Sequence, residues 1–442
     1  MTLPIIAQPS LETTAAVANV VIMGGGAAGL AAGIFTARAI RRQDPGPSYR
    51  VVILDGARTL GAKILVSGGS RCNVTNASVA ASDFWRAGSS FVRQVLRALP
   101  VQETIQFFEE IGVNLKEEPL GKLFPVTNKS RTVLDALLRE ADRLNLELRT
   151  SCRVTALNHD ESTWTIGTSQ GEVRANCVVL ATGGLSLPKT GSDGIGLVLA
   201  RGVGHTLVPT VPALEPLILG GDFHSPLSGI AHDASIRVSR PGEKPIDIRG
   251  SLLWTHFGVS GPLALNASRF FRRGNAEGAP PTLSLSFAPD HASEAVDQHL
   301  IEAVRDRPQN NVTTELTRAF GLAQAVSLRI VTASIGADEP LRKLTRGKRR
   351  ELVRQLTAFP LAVTDGRGYN YAEVTSGGVA LGEVNPKTME SRIAPGLFFA
   401  GEILDVDGRI GGFNFQWAWA TGKVAGVALA RRLVERREGS GG

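Results

Sequence analysis

A short apolar run, Ala18 to Met23, feeds directly into Gly24-Gly25-Gly26-Ala27-Ala28-Gly29 and then into an alanine-rich stretch reaching about Ile40. This order constrains the fold more than any other feature of the chain. A buried strand, a glycine turn and a helix are followed by a loop, Asp44-Pro45-Gly46-Pro47, and a second apolar strand, Arg50 to Leu54. Together they read as a βαβ unit, the opening of a doubly wound sheet. Each glycine has its own role in such a unit. Gly24 permits the tight turn, Gly26 lets the backbone approach a pyrophosphate, and Gly29 lets the helix sit close to the strand. The helix N-terminus then offers free N–H groups and partial positive charge to that phosphate. Asp55 closes the second strand 26 residues beyond Gly29, against a usual spacing of about 20. The 41–50 stretch accounts for the excess. A carboxylate there accepts hydrogen bonds from ribose hydroxyls and repels a 2′-phosphate, which argues against NADP at this turn.

Composition narrows the remaining options. The 442 residues are 43% hydrophobic and 20% charged, which excludes intrinsic disorder. The 49 glycines follow no three-residue period, which excludes a collagen-like chain. The length suggests two or three domains. No apolar run is long enough to span a bilayer, and residues 1–17 read as a flexible leader rather than a secretory signal. Cys72, Cys152 and Cys177 form no CxxC pair and no metal-ligand spacing, so a cytoplasmic setting without a metal is expected. The net charge is +7, and seven of the 48 basic residues fall between Arg342 and Arg354. That run lacks aromatic residues and reads as a solvated helix face, so neither a nucleic-acid nor a membrane partner is expected.

Further along, helical periodicity returns around 88–111 and 131–144, and 146–180 reads as a small antiparallel meander. It closes on a buried strand, Cys177 to Ala181, leading into Thr182-Gly183-Gly184. From 206 to 290 prolines and glycines separate β-like runs, and 291–355 is amphipathic and helical. After Tyr371 buried-strand character returns, ending at Gly401-Glu402. Asp405, Asp407 and Gly411-Gly412 then open a helix from about Phe413 to Glu435. The expected fold class is α/β. A discontinuous, Rossmann-like dinucleotide domain (18–205 and 371–442) carries an inserted β-rich domain (206–290 and 356–370) and a small helical insert (291–355). A strand ending in Ala181-Thr182-Gly183 far downstream of the first glycine turn favours FAD over NAD. The acidic residue Glu402 can hold ribityl hydroxyls, and a Gly411-Gly412 helix start can place N–H donors against the flavin C2 carbonyl.

These blocks make the chain recognisable. It resembles the BaiN-like family of FAD-dependent oxidoreductases, which includes the aminoacetone oxidase type flavoproteins. The resemblance runs nearly end to end. It rests on Val21–Ala32, on Ser67-Gly68-Gly69-Ser70-Arg71-Cys72-Asn73-Val74-Thr75-Asn76 and on Gly121-Lys122-Leu123-Phe124-Pro125. It continues through Ala181–Gly196, Thr255-His256-Phe257-Gly258-Val259-Ser260-Gly261-Pro262 and Thr375-Ser376-Gly377-Gly378-Val379 to the block Glu383–Gly422. The resemblance implies an FAD domain of the glutathione-reductase type. It implies cofactor contacts at Gly24, Gly26, Ala27, Ala28, Gly29 and Asp55, and along Lys63, Ser67, Gly68, Arg71, Cys72 and Asn73. It implies others at Ala181, Thr182 and Gly183, and at Gly401, Glu402, Asp407, Gly411, Gly412, Phe413 and Asn414. Asp55 stands where the family commonly has glutamate, a change that keeps the carboxylate.

Flavin chemistry of this kind is hydride transfer at N5, with the protein supplying orientation and proton management. His256 and Arg71 are the candidate catalytic residues; Tyr369 and Tyr371 are weaker ones. Trp417 and Trp419 read as helix-packing residues. Cys72 lacks a CxxxxC partner and reads as a packed thiol. The leading expectation is an FAD-dependent oxidoreductase acting on a small organic molecule, by C=C reduction or amine oxidation, with NAD(P)H a possible transient donor. The alternatives are a flavin-dependent tRNA-modifying enzyme and a non-catalytic FAD-binding redox sensor. Oligomeric state is not legible.

Overall fold

The computed structural model describes residues 17–44, 49–85, 90–160 and 163–440. Residues 1–16 of the expected leader and 45–48 of the expected loop lie outside the described residues.

The strand Ala18–Met23 is buried except at Asn19. It pairs in parallel with Val51–Leu54 on one side and with Gly171–Leu180 on the other. Glu147–Arg149 extends the sheet beyond Val51–Leu54, and Leu397–Phe399 adds a parallel strand beside Gly171–Leu180. Strands covered on both faces must be apolar on both faces. That is why these runs lack the polar–apolar alternation of a half-exposed strand. The long strand Gly171–Leu180 belongs to two structures at once. Its first half pairs antiparallel with Thr163–Thr168, itself paired with Val154–Asp160, while its second half completes the parallel sheet.

The helices Ala27–Gln43 and Phe413–Ser440, from opposite ends of the chain, pack into a single core with this sheet. The stretch expected as one helix over 88–111 is two, Ser90–Ala98 and Val101–Glu110. Pro100 cannot continue the first helix and caps the second.

A second core lies between residues 217 and 361. Its sheet runs in the order Phe359–Pro360, Thr282–Ser286, Ala231–Ser239, Ile246–Thr255, Gly258–Ser260, Leu217–Leu219, Val363–Gly366. The helices Ser293–Asp306, Val312–Phe320, Gln324–Ile335 and Arg346–Thr357 bury Val296, Leu300, Leu316, Ile330 and Leu352 in that same core. A helix that the sequence reading missed, Gly261–Ala276, sits inside the segment expected to be β-rich. Leu263, Ala264, Ala267 and Phe271 are its buried face, but Gly258, Gly261 and Pro262 at its start obscure the period. The strand pair Leu207–Ala213 and Val374–Val379 connects the two cores.

Candidate cofactor cleft

Segments far apart in sequence converge on one cleft of about 1040 Å³. The first wall is the glycine turn. Gly24 has φ +107°, and a Cβ there would press on the Ala181 carbonyl; a Cβ on Gly29 would collide with the Gly24 carbonyl oxygen. Gly26 is different. A Cβ on it would meet no protein atom within 4 Å, because the position opens onto the cleft. The helix behind it carries no acidic residue in its first turn, so nothing there quenches the partial positive charge of its N-terminus.

Asp55 faces the same end. Its carboxylate accepts hydrogen bonds from the backbone N–H groups of Gly25 and Ala57, each at 2.7 Å. Burial pushes its carboxyl above the ordinary value; the two bonds pull the other way, and Asp193 adds repulsion. Arg153 and Asp193 form an ion pair on this part of the wall. Asp193 lies in the Ala181–Gly196 block that carries the resemblance, although the residue itself was not singled out, whereas no motif surrounds Arg153.

The other end of the cleft is more polar. Lys63 Nζ donates to Glu402 Oε2 at 2.5 Å and to Ser186 Oγ at 2.6 Å. Glu402 Oε1 accepts from Ser186 Oγ and from the Thr375 backbone N–H, both at 2.8 Å. Arg71 is anchored by both oxygens of Glu118, at 2.9 and 3.0 Å, and lies 4.1 Å above the Phe124 ring. Ser67, Gly68 and Asn73 line the cleft beside it. So do Ala27, Ala28, Ala181, Thr182, Gly183, Gly401, Gly411, Gly412 and Asn414. Asn414 ties its loop by exchanging hydrogen bonds with the Gly408 backbone at 2.7 and 2.9 Å.

Six residues singled out by sequence do not face the cleft, the weaker candidate Tyr369 among them. Gly29 sits behind the turn. Cys72 is fully buried, and burial pushes its thiol up to about 12. Asp407 is buried against Arg269, 2.8 Å away on the helix Gly261–Ala276, and Phe413 packs edge-on to Phe84. His256 is exposed at a turn, edge-on to Phe257, away from the cleft lining. The weaker candidate Tyr371 does line the cleft, half-exposed, with the Arg367 guanidinium 3.5 Å from its ring centre. Trp417, expected only to pack, also reaches the lining and donates its indole N–H to the Gly401 carbonyl at 3.2 Å. Lys122, in the Gly121–Pro125 block but not singled out as a site residue, also lines the cleft, and so does Glu373, which no motif announced.

These features fit an extended dinucleotide that carries a flavin. Gly26 leaves room for a pyrophosphate against the helix N-terminus, and Asp55 stands where a ribose would lie. Thr182 Oγ1 and Asn73 Oδ1 are buried polar atoms on the lining with no hydrogen-bond partner among the described residues. Such atoms in a native protein call for one. Bound FAD would be held by the glycine turn and Asp55 at one end and by Lys63, Glu402 and the Phe413 helix start at the other.

The family described as "HI0933-like protein Rossmann domain" matches residues 18–428. The 3-dehydro-bile acid delta(4,6)-reductase of Clostridium scindens is 33% identical over 411 residues, covering 93% of this chain and 98% of that protein. The ribosomal RNA dihydrouridine synthase of Escherichia coli is 31% identical over 410 residues, covering 91% of this chain and 96% of that protein. Among solved structures, the 3-ketosteroid-delta4-(5alpha)-dehydrogenase of Rhodococcus jostii RHA1 aligns with a TM-score of 0.45 at 16% identity, over 93% of this chain and 96% of that one. The chain belongs to the HI0933-like family of Rossmann-domain proteins, and it is an FAD-dependent oxidoreductase.

Proposed function

We propose that this enzyme saturates a carbon–carbon double bond conjugated to a carbonyl group in a small organic substrate, with NAD(P)H as the electron donor. One observation carries the reading. Two relatives, matched over more than nine-tenths of the chain, have names describing the same chemistry on unlike molecules. A Δ4 bond beside a 3-keto group is an enone, and the uracil double bond that becomes dihydrouridine is likewise conjugated to a carbonyl. Bound FAD would supply the hydride. The protein's part is to hold the acceptor, to polarise its oxygen and to manage one proton. The cleft offers donors for the oxygen in Arg71 and Lys122. The free, buried Cys72, Cys152 and Cys177 suit a reducing, cytoplasmic setting.

A uracil ring within RNA is the second reading, favoured by Lys122 and Lys189, lining cations with no ion-pair partner among the described residues, and by the net charge of +7. The test is product analysis. Holoenzyme is incubated with NADH or NADPH and, separately, unsaturated ketones, aminoacetone and unmodified ribosomal RNA. The proposal expects products two mass units heavier from ketones, without oxygen uptake. Gain only on RNA selects the second reading; oxygen consumption with aminoacetone and no saturated product contradicts both.

A further inference from the structure

We infer that Glu373 is the proton donor of this cleft, delivering to the α-carbon the proton that double-bond saturation requires. The inference rests on the reduction reading above. It starts from the balance of that reaction. A hydride with its electron pair forms a C–H bond at the β-carbon. The π pair shifts through the enolate, and the α-carbon then forms a second C–H bond with a proton from the protein. The double bond is reduced, the dihydro form of the cofactor is oxidised, and the donor carboxylate regains its proton from water. The protein must therefore keep an acidic proton inside the cleft near neutral pH.

The other candidates fall away on position. Cys72 is sealed behind the wall. Asp55 has both carboxylate oxygens engaged by backbone N–H groups beneath the glycine turn. Glu402 is committed to Lys63, Ser186 and Thr375, and Glu118 to Arg71 and Lys116. His256 stands off the lining.

Glu373 differs from all of these. Its backbone is pinned: its N–H donates to the Leu214 carbonyl at 3.1 Å, and its carbonyl accepts from Ser186 Oγ at 3.3 Å. Its side chain is exposed, and the surface it exposes is the cleft itself. Its carboxyl has no hydrogen-bond or ion-pair partner among the described residues, so it is free to meet a ligand. Protein nevertheless surrounds it closely, and burial pushes the carboxyl above its ordinary value, opposed by the charges of Lys63 and Lys122. These two lysines, Glu402 beyond Lys63, the Glu118-paired Arg71, and Tyr371 two residues earlier in the chain are the charged and titratable groups that the lining places at this end of the cleft. A flavin filling the cleft would exclude more water and raise the carboxyl further.

The test compares wild-type holoenzyme with Glu373→Gln and Glu373→Asp. Each is reduced anaerobically with dithionite and mixed with 2-cyclohexen-1-one, and the visible flavin spectrum of each oxidised protein is titrated with pH. General acid catalysis is worth roughly 10²–10⁴-fold. Glu373→Gln should hold FAD and accept electrons like wild type, yet reoxidise at least about a hundredfold more slowly. Glu373→Asp should recover part of the rate. The wild-type spectrum should show a titration above the ordinary carboxylate range that Glu373→Gln lacks. Reoxidation of Glu373→Gln at the wild-type rate overturns the assignment. If wild type itself is not reoxidised while its spectral titration disappears in Glu373→Gln, the enone reading falls and the carboxyl's place beside the flavin stands. Loss of neither signal overturns both.

Discussion

Lys63 and Glu402, 339 positions apart in sequence, meet at 2.5 Å on the wall of the cleft. One follows the second strand of the opening βαβ unit; the other lies in the short turn of helix Gly401–Ile403 that follows the strand Leu397–Phe399. Their pairing joins the two ends of the chain at the site itself. Both are about one-fifth to one-quarter exposed. Lys63→Ala leaves Glu402 with only neutral donors, Ser186 and the Thr375 N–H. Lys63 is the cation expected to meet the cofactor at this end; losing one hydrogen bond from a charged group, worth about 1.5–3 kcal/mol, should weaken FAD binding roughly tenfold or more. Fluorescence titration of apoprotein with FAD measures this.

Gly26 and Gly29 lie three residues apart and should fail in opposite ways. A Cβ on Gly26 enters open cleft, at a φ of −82° that any residue adopts. Gly26→Ala should keep the thermal stability of the apoprotein and lose FAD. Gly29→Ala should destabilise the fold itself, because its Cβ meets the Gly24 carbonyl. Melting curves alongside flavin content per chain separate the two outcomes.

Arg269 and Asp407 couple the two cores. Their contact is 2.8 Å, with the side chains 7% and 0% exposed. Removing one partner of such a pair costs about 3–5 kcal/mol, since the other is left as a buried charge. Arg269→Met should therefore destabilise strongly, and Arg269→Met with Asp407→Asn should recover much of the loss. Urea unfolding of the single and double variants checks the coupling.

Acid should loosen the second core in a defined window. Burial alone would raise the Glu315 carboxyl, but bonds from Arg307, Arg318 and His299 outweigh it and hold the value at about 2. A carboxyl lowered on folding contributes fully above its unfolded value, ordinarily about 4.3. That contribution fades as pH falls towards 2. Stability against urea should drop across this range, and Glu315→Gln should flatten the drop.

The sequence made the cofactor's end of the molecule legible for a physical reason. A tight turn, a close helix and a pyrophosphate each demand glycine at a fixed spacing, so Gly24, Gly26 and Gly29 leave a local trace. The substrate side leaves no such trace. Lys122 falls in the Gly121–Pro125 block, but nothing local marks it as facing the cleft, and Glu373 carries no signature at all; their meeting depends on the strand Leu207–Ala213 pairing with Val374–Val379 and on the hairpin of Leu115–Glu118 with Lys122–Pro125. His256 drew attention through its motif, yet that motif starts the helix Gly261–Ala276, which the surrounding glycines and proline hid. Asp407 is in the expected segment, but Arg269 on that hidden helix engages it.

On the proposed function, this cleft delivers two electrons from FAD to a conjugated double bond. Anaerobic titration tests it most directly: holoenzyme is fully reduced, then given measured additions of an unsaturated ketone while the visible flavin band is followed. The band should return in step with the ketone added, one saturated product forming per flavin reoxidised. A flavin that stays reduced in the presence of every conjugated acceptor, ribosomal RNA included, and recovers only on admission of oxygen would contradict it.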